Sequence, residues 1–137
     1  MQFNSYRSYL RHWARKLDVT LQITTQCDPI GIRAFDSAPG GWCYWSAIPR
    51  KADKLIVYNW DDSPLALYVG LHELGHAAKA NPIDIPETIE REAEAWLWAW
   101  ANCPDSWKEE EQFWALAIEC LSSYTNSESL AIQLLGL

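Results

Sequence analysis

The stretch between Ser63 and Ala80 limits the possible folds of this chain more than any other part of the sequence. Ser63-Pro64 predicts a helix start, because serine caps helix N-termini and proline is tolerated in the first turn, and Asn81-Pro82 predicts the end. At about 100° per residue, apolar side chains fall on two opposite faces of this helix. A helix that is apolar on both sides is normally buried, so we expect the rest of the chain to pack around it.

Three polar side chains interrupt this apolar helix in an H-E-x-x-H pattern: His72, Glu73 and His76. Residues four apart lie on the same helix face, so both imidazoles can reach one ion, whereas burying them without a partner would be costly. Zn²⁺ suits such nitrogen ligands, and a catalytic zinc site keeps one position for water. Glu73 lies about 100° round the helix, where it could act as the general base towards a zinc-activated water.

Two histidines leave a zinc site incomplete, and a second predicted helix, from about Pro86 to Ala101, offers a third ligand. Its inward face is defined by its apolar side chains, which are Ile89, Ala93, Trp96 and Trp100. Glu92 lies at the edge of that face, Glu94 points well away, and Glu90 lies off the other edge. The pattern therefore predicts Glu92 as the third metal ligand, with Glu94 as the reserve candidate.

The two helices together resemble a known family. The sequence HELGH at 72–76, followed by EREAEAW at 90–96, resembles the ImmA/IrrE group of zinc metallopeptidases, in which an H-E-L-G-H helix precedes an E-x-E-A-[DN]-x-F-A helix. Trp96 stands where that group usually has phenylalanine. The resemblance implies a gluzincin-type site with His72, His76 and Glu92 as ligands and Glu73 as the base.

The resemblance also implies a function and a fold. It implies a hydrolase, a zinc-dependent endopeptidase that cleaves a protein partner, with a helix-turn-helix repressor as the substrate that the family suggests. The implied fold is a minimal zincin-like one. Two alternatives remain open: a catalytically silent protein of this fold that binds a regulator or host factor stoichiometrically, and a structural zinc ion closed by a fourth protein ligand.

The remaining patterns predict an α+β fold in one domain covering residues 1–137. Helical spacing predicts an N-terminal amphipathic helix at about 5–17, and period-two or β-rich stretches predict a small, mostly antiparallel sheet. The strands are expected at about 18–25, 31–35, 42–47 and 54–60. After the helix that carries the histidines, C-terminal helices are expected at about 86–101, 106–122 and 129–135.

Charge and composition narrow the range of partners. The net charge of −7 argues against sequence-independent nucleic-acid binding, and the strip of Arg7, Arg11 and Arg15 is interpreted as a solvated helix face. No apolar run approaches the about 18 residues of a membrane span. None of the four cysteines forms a C-x-x-C pair, and the N-terminus lacks the apolar region of a signal peptide, which favours the cytoplasm. The expected partner is therefore a protein, as substrate or as regulator.

Tyrosines are further candidates for the chemistry. Tyr58, Tyr68 and Tyr124 each carry a hydroxyl group that could donate a hydrogen bond to an oxyanion. The sequence alone does not place any of them relative to the histidines.

Overall fold

Five helices and three short strands make up the regular structure of the described residues, which in this computed structural model are 5–24, 41–44, 55–59, 64–79 and 89–137. In chain order the elements are α1 (Tyr6–Lys16), β1 (Thr20–Thr24), β2 (Gly41–Tyr44), β3 (Leu55–Asn59), α2 (Pro64–Lys79), α3 (Ile89–Asn102), α4 (Glu110–Thr125) and α5 (Glu128–Leu134), with a 3₁₀ turn at Asp105–Trp107.

Helix α2 lies at the centre of the described structure. Every residue from 66 to 77 is buried. Helix α3 packs along it, and α1, α4 and the strands β2 and β3 contact it from other directions. The expectation of a helix that is covered on both of its apolar faces is therefore confirmed.

Helices α2 and α3 approach each other until their backbones touch. A Cβ atom added to Gly75 of α2 would lie 2.6 Å from the carbonyl oxygen of Ala95 in α3 and 3.1 Å from its Cα atom. Ala95 is itself small and fully buried. Only a residue without a side chain allows this spacing, because no real Cβ atom sits so close to a carbonyl oxygen.

Aromatic rings hold α4 against the pair formed by α2 and α3. Phe113 of α4 is fully buried, and its ring centroid lies 5.1 Å from Tyr68 of α2, 5.7 Å from Trp96 of α3 and 5.0 Å from Trp100. Such ring pairs contribute about 0.5–1.5 kcal/mol each beyond the area that they bury. Six of the nine tryptophans of this chain thus belong to the described core or pack against it, as large, flat side chains.

The predicted fold class, α+β with a small and mostly antiparallel sheet, is wrong. Helices hold most of the described residues, whereas each strand has only four or five. The strand order is β1-β3-β2; β2 pairs with β3 antiparallel, but β1 pairs with β3 in parallel, from Thr20 opposite Leu55 to Thr24 opposite Asn59. Nearly all described buried side chains come from helices, so the described part of the structure is predominantly α-helical.

All five predicted helices exist, but their ends differ from the predicted ones. The helix predicted at 106–122 begins with the 3₁₀ turn, so α4 starts only at Glu110. Helix α4 ends at Thr125, and the left-handed backbone of the next residue, Asn126 (φ 55°), is a common way to stop a helix. None of the described helices combines the length and apolar character of a membrane-spanning segment. The predicted strand at 31–35 and the predicted cap Ser63 lie outside the described residues, and the single domain stays a prediction.

We predict that Gly75→Ala destabilises the protein. Alanine is favoured over glycine inside a helix by about 0.8–1 kcal/mol, but forcing a methyl group against a backbone carbonyl costs about 1–3 kcal/mol, so the clash should dominate. Chemical denaturation measures the difference. The exposed Ala115 of α4 provides the control, because Ala115→Gly reports the helix preference without a packing change. Unchanged or higher stability of Gly75→Ala would contradict the close approach.

Candidate metal centre

Three side-chain atoms converge where α2 passes α3. Oε2 of Glu92 lies 2.8 Å from Nε2 of His76 and 3.1 Å from Nε2 of His72, and the two Nε2 atoms are 3.2 Å apart. All three residues are buried, and together they form a group that could hold a metal ion. The structure thus brings together the three residues that the sequence suggested as ligands.

The spacing of these atoms fits a tetrahedral ion. Zinc bonds of about 2.0–2.2 Å to nitrogen and oxygen place neighbouring ligand atoms roughly 3.3–3.5 Å apart in a tetrahedron. The observed separations of 2.8–3.2 Å are slightly shorter, so a small outward shift of the side chains admits an ion. The donor set, two imidazole nitrogens and one carboxylate oxygen, is also one that divalent transition metals accept.

The electrostatics of the site keep these side chains in the forms that bind metals. Burial alone would raise the pKa of Glu92, but hydrogen bonds and charge interactions with His72 and His76 outweigh it and hold that pKa well below its usual range. Burial lowers the pKa of His72, although the hydrogen bond that Glu92 accepts opposes this shift. At neutral pH, Glu92 is therefore an ionised carboxylate and His72 a neutral imidazole, as metal coordination requires.

Glu73 lies beside the converging atoms without joining them. Its Oε1 atom is 3.9 Å from Nε2 of His72, and its side chain is buried. The group of atoms close enough to share an ion contains His72, His76 and Glu92 but not Glu73. This position suits a carboxylate that accepts and donates protons next to an ion, rather than a carboxylate that binds the ion.

The two other glutamates of α3 point away from the centre. Glu90 and Glu94 are both exposed, whereas Glu92 is only 9% exposed. Two residues along a helix correspond to a rotation of about 200°, which moves a side chain to the opposite face. The structure therefore brings Glu92 to the histidines and leaves the reserve candidate Glu94 outside.

The candidate tyrosines differ sharply in their surroundings. Tyr68 is fully buried, donates a hydrogen bond to the Trp107 carbonyl oxygen (2.8 Å) and accepts one from the Glu109 amide (3.0 Å), so its hydroxyl serves the packing of α4. Tyr124 of α4 is 60% exposed. Partial burial, the negative charge of Glu92 and a hydrogen bond with that carboxylate raise the pKa of Tyr124 above its usual range. The side chain of Tyr58 lies outside the described residues.

Two residues that shape the centre were not predicted from the sequence. Gly75 permits the helix contact that brings Glu92 within reach of the histidines. Trp96, expected only on the inward face of α3, stacks on the His72 ring with a centroid distance of 4.1 Å. The available signals were the glycine next to His76 and the spacing of one helical turn between Glu92 and Trp96.

Comparison with known proteins gives no further identification. No protein-family model, curated protein or solved structure matches the chain at a significant level. The capacity to bind a metal therefore follows from the described side chains themselves: two buried imidazoles and one buried carboxylate directed at a common point.

We predict that Glu92→Gln weakens metal binding while Glu94→Gln does not. The amide removes the negative charge and one strong oxygen ligand from the buried site, whereas Glu94 is exposed on another face of the same helix. The metal content after dialysis and the dissociation constant from chelator competition measure the effect, with an expected loss of at least about 100-fold for Glu92→Gln. Equal losses in both variants would show that the metal does not bind to Glu92.

Proposed function

We propose that this protein is a zinc-dependent endopeptidase that acts on a protein partner. The observation that carries the proposal is the convergence of His72, His76 and Glu92 on one point, with the Glu73 carboxylate beside it. Two histidines and one glutamate are a ligand set typical of catalytic zinc sites, in which the fourth position serves water or substrate. The described residues supply three such ligands, which favours a catalytic centre over a closed structural one.

The proposed chemistry divides between the ion and the protein. A bound zinc ion would lower the pKa of water to about 7 and polarise the carbonyl group of a substrate. Glu73 would accept a proton as the nucleophile attacks and deliver it to the leaving amine. The burial of Glu73 restricts water around its carboxylate, which strengthens its interaction with the reacting groups.

Tyr124 would donate a hydrogen bond to the substrate in this proposal. It is the described tyrosine whose hydroxyl group both approaches the carboxylates of the centre and belongs to an exposed side chain. Because burial and the neighbouring carboxylates raise the pKa of Tyr124, the phenol keeps its proton and would act as a donor at neutral pH. A donor at this position can stabilise the negative charge that develops on a carbonyl oxygen.

The substrate is inferred from the sequence motifs, and the compartment from the cysteines. The similarity of HELGH and EREAEAW to the ImmA/IrrE motifs supports a helix-turn-helix repressor as the substrate. Cys103 and Cys120 are free thiols, and burial is the main cause that raises the pKa of each to about 11. Thiols that stay reduced are typical of the cytoplasm, which is where we propose that the protein acts.

We predict that Glu73→Gln abolishes cleavage but leaves zinc bound. The substitution removes the proton acceptor and keeps the shape of the side chain, so peptide hydrolysis should fall by about 100-fold or more at unchanged zinc stoichiometry. The zinc-loaded protein is incubated with a purified helix-turn-helix repressor and with peptides derived from a whole proteome, and mass spectrometry detects new termini. Glu94→Gln, an equal change on an exposed glutamate, serves as the control and should cleave at the wild-type rate.

Two results of this experiment would contradict the proposal, the first in the role of Glu73 and the second in the peptidase activity itself. Fragments that appear equally fast with Glu73→Gln would show that Glu73 is not the base. A wild-type protein that binds zinc but produces no fragments, and instead forms a stable complex with the repressor, would favour the stoichiometric binding protein.

We also predict that Tyr124→Phe lowers kcat and leaves zinc affinity nearly unchanged. Loss of one donor to a developing oxyanion typically costs about 100-fold in kcat, whereas the phenyl ring preserves the packing. Steady-state kinetics on a peptide found in the cleavage screen separates kcat from KM, and Tyr6→Phe, on α1, is the control. A fall in zinc affinity with unchanged kcat at zinc saturation would instead show that Tyr124 only holds Glu92.

A further inference from the structure

None of the residues that the structure describes gives the His72 ring the hydrogen bond that normally orients a metal-binding histidine. Its Nε2 atom faces Glu92 and His76, so Nδ1 is the nitrogen left for a supporting partner. This Nδ1 atom is buried and has no hydrogen-bond partner among the described residues. In most metal sites that second nitrogen donates to a carboxylate or a carbonyl oxygen, which fixes the orientation of the ring.

The indole of Trp96 covers one face of the His72 ring. The centroids of the two rings lie 4.1 Å apart and their planes differ by 20°, so the indole and the imidazole are stacked. Trp96 is only 1% exposed, and Phe113 packs edge-on against it at 5.7 Å and 81°. The indole is therefore held in place by contacts other than the one with His72, and it can act as a fixed surface for the imidazole.

Trp96 also lies one helical turn after Glu92 on α3. Residues four apart share a face of a helix, so the same strip of α3 supplies both a ligand oxygen and the ring behind a ligand imidazole. Any shift of α3 relative to α2 would move both together. This arrangement couples the position of His72 to that of Glu92.

We propose that Trp96 is a positioning residue that orients His72 for metal binding and stabilises the metal-bound imidazole by stacking. Coordination withdraws electron density from the imidazole, and an electron-poor ring is attracted to the electron-rich face of an indole. The stack thus strengthens when the ion binds and takes over the orienting role that a hydrogen bond at Nδ1 would otherwise have. This inference rests on the metal site of the proposed function and not on peptide cleavage.

The test compares zinc affinity in Trp96→Leu, Trp96→Phe and the matched control Trp100→Leu. Trp100 lies one turn further along α3 and packs on Phe113 and Trp114, so its loss removes a comparable ring without touching His72. We expect the zinc dissociation constant to rise about 10- to 100-fold for Trp96→Leu, which is the usual effect of losing a residue that orients a ligand. Trp96→Phe should show a smaller rise, and Trp100→Leu should bind as the wild type does.

The chemical shifts of the His72 ring protons, measured by nuclear magnetic resonance, distinguish a loss of stacking from a general loss of stability. Stacking on the indole shifts the ring protons of His72 upfield; Trp96→Leu should remove this shift, whereas Trp100→Leu should keep it. If Trp96→Leu does not fold, Trp96→Phe carries the test through its reduced shift and weaker zinc binding.

The possible outcomes distinguish a failure of this inference from a failure of the proposed metal site. A wild-type protein that binds no zinc overturns both. A wild-type protein that binds zinc, with Trp96 variants that are folded and bind it equally well, overturns the role of Trp96 alone. Equal losses of affinity in Trp96→Leu and Trp100→Leu also overturn it, because they would reflect only weakened packing of α3.

Discussion

The contact between the backbones of α2 and α3 at Gly75 and Ala95 is the constraint on which the rest of the described structure depends. It sets the distance between two helices, one carrying both histidines and the other carrying Glu92. A side chain at Gly75 would force the helices apart and carry Glu92 on α3 away from both histidines on α2. The candidate metal centre therefore depends on the helix pair and not on the H-E-x-x-H turn alone.

The buried carboxylates explain why a bound ion would stabilise this helix pair. Glu73 and Glu92 are both buried, in a protein whose net charge is −7. Burying a carboxylate is costly unless a partner compensates its charge, and the contacts of Glu92 with His72 and His76 do so in part. A divalent cation held by these three residues would compensate the Glu92 charge directly. The stacking of Trp96 on His72 adds a contact that strengthens once the ion is present.

More of the candidate metal centre than of the fold could be predicted from the sequence. Helical geometry alone places His72 beside His76 and separates Glu92 from Glu94, because the period of a helix is fixed. The fold class could not be predicted in the same way, since local patterns show that β1 and β3 exist but not that they stay short and pair in parallel. The stack of Trp96 on His72 joins two different helices, so it depends on the crossing of α2 and α3, which no local pattern encodes. The contact between Gly75 and Ala95 also depends on this crossing, so it could not be predicted from a local pattern either.

The coordination of the ion itself tests the central claim most directly. X-ray absorption at the zinc edge of the zinc-loaded protein reports the type, number and distance of the ligand atoms. The structure predicts two imidazole nitrogens and a carboxylate oxygen at about 2.0–2.2 Å, with one further light atom and no sulfur. A sulfur shell at about 2.3 Å, which would indicate a cysteine ligand, or the absence of stoichiometric zinc would contradict a centre formed by His72, His76 and Glu92.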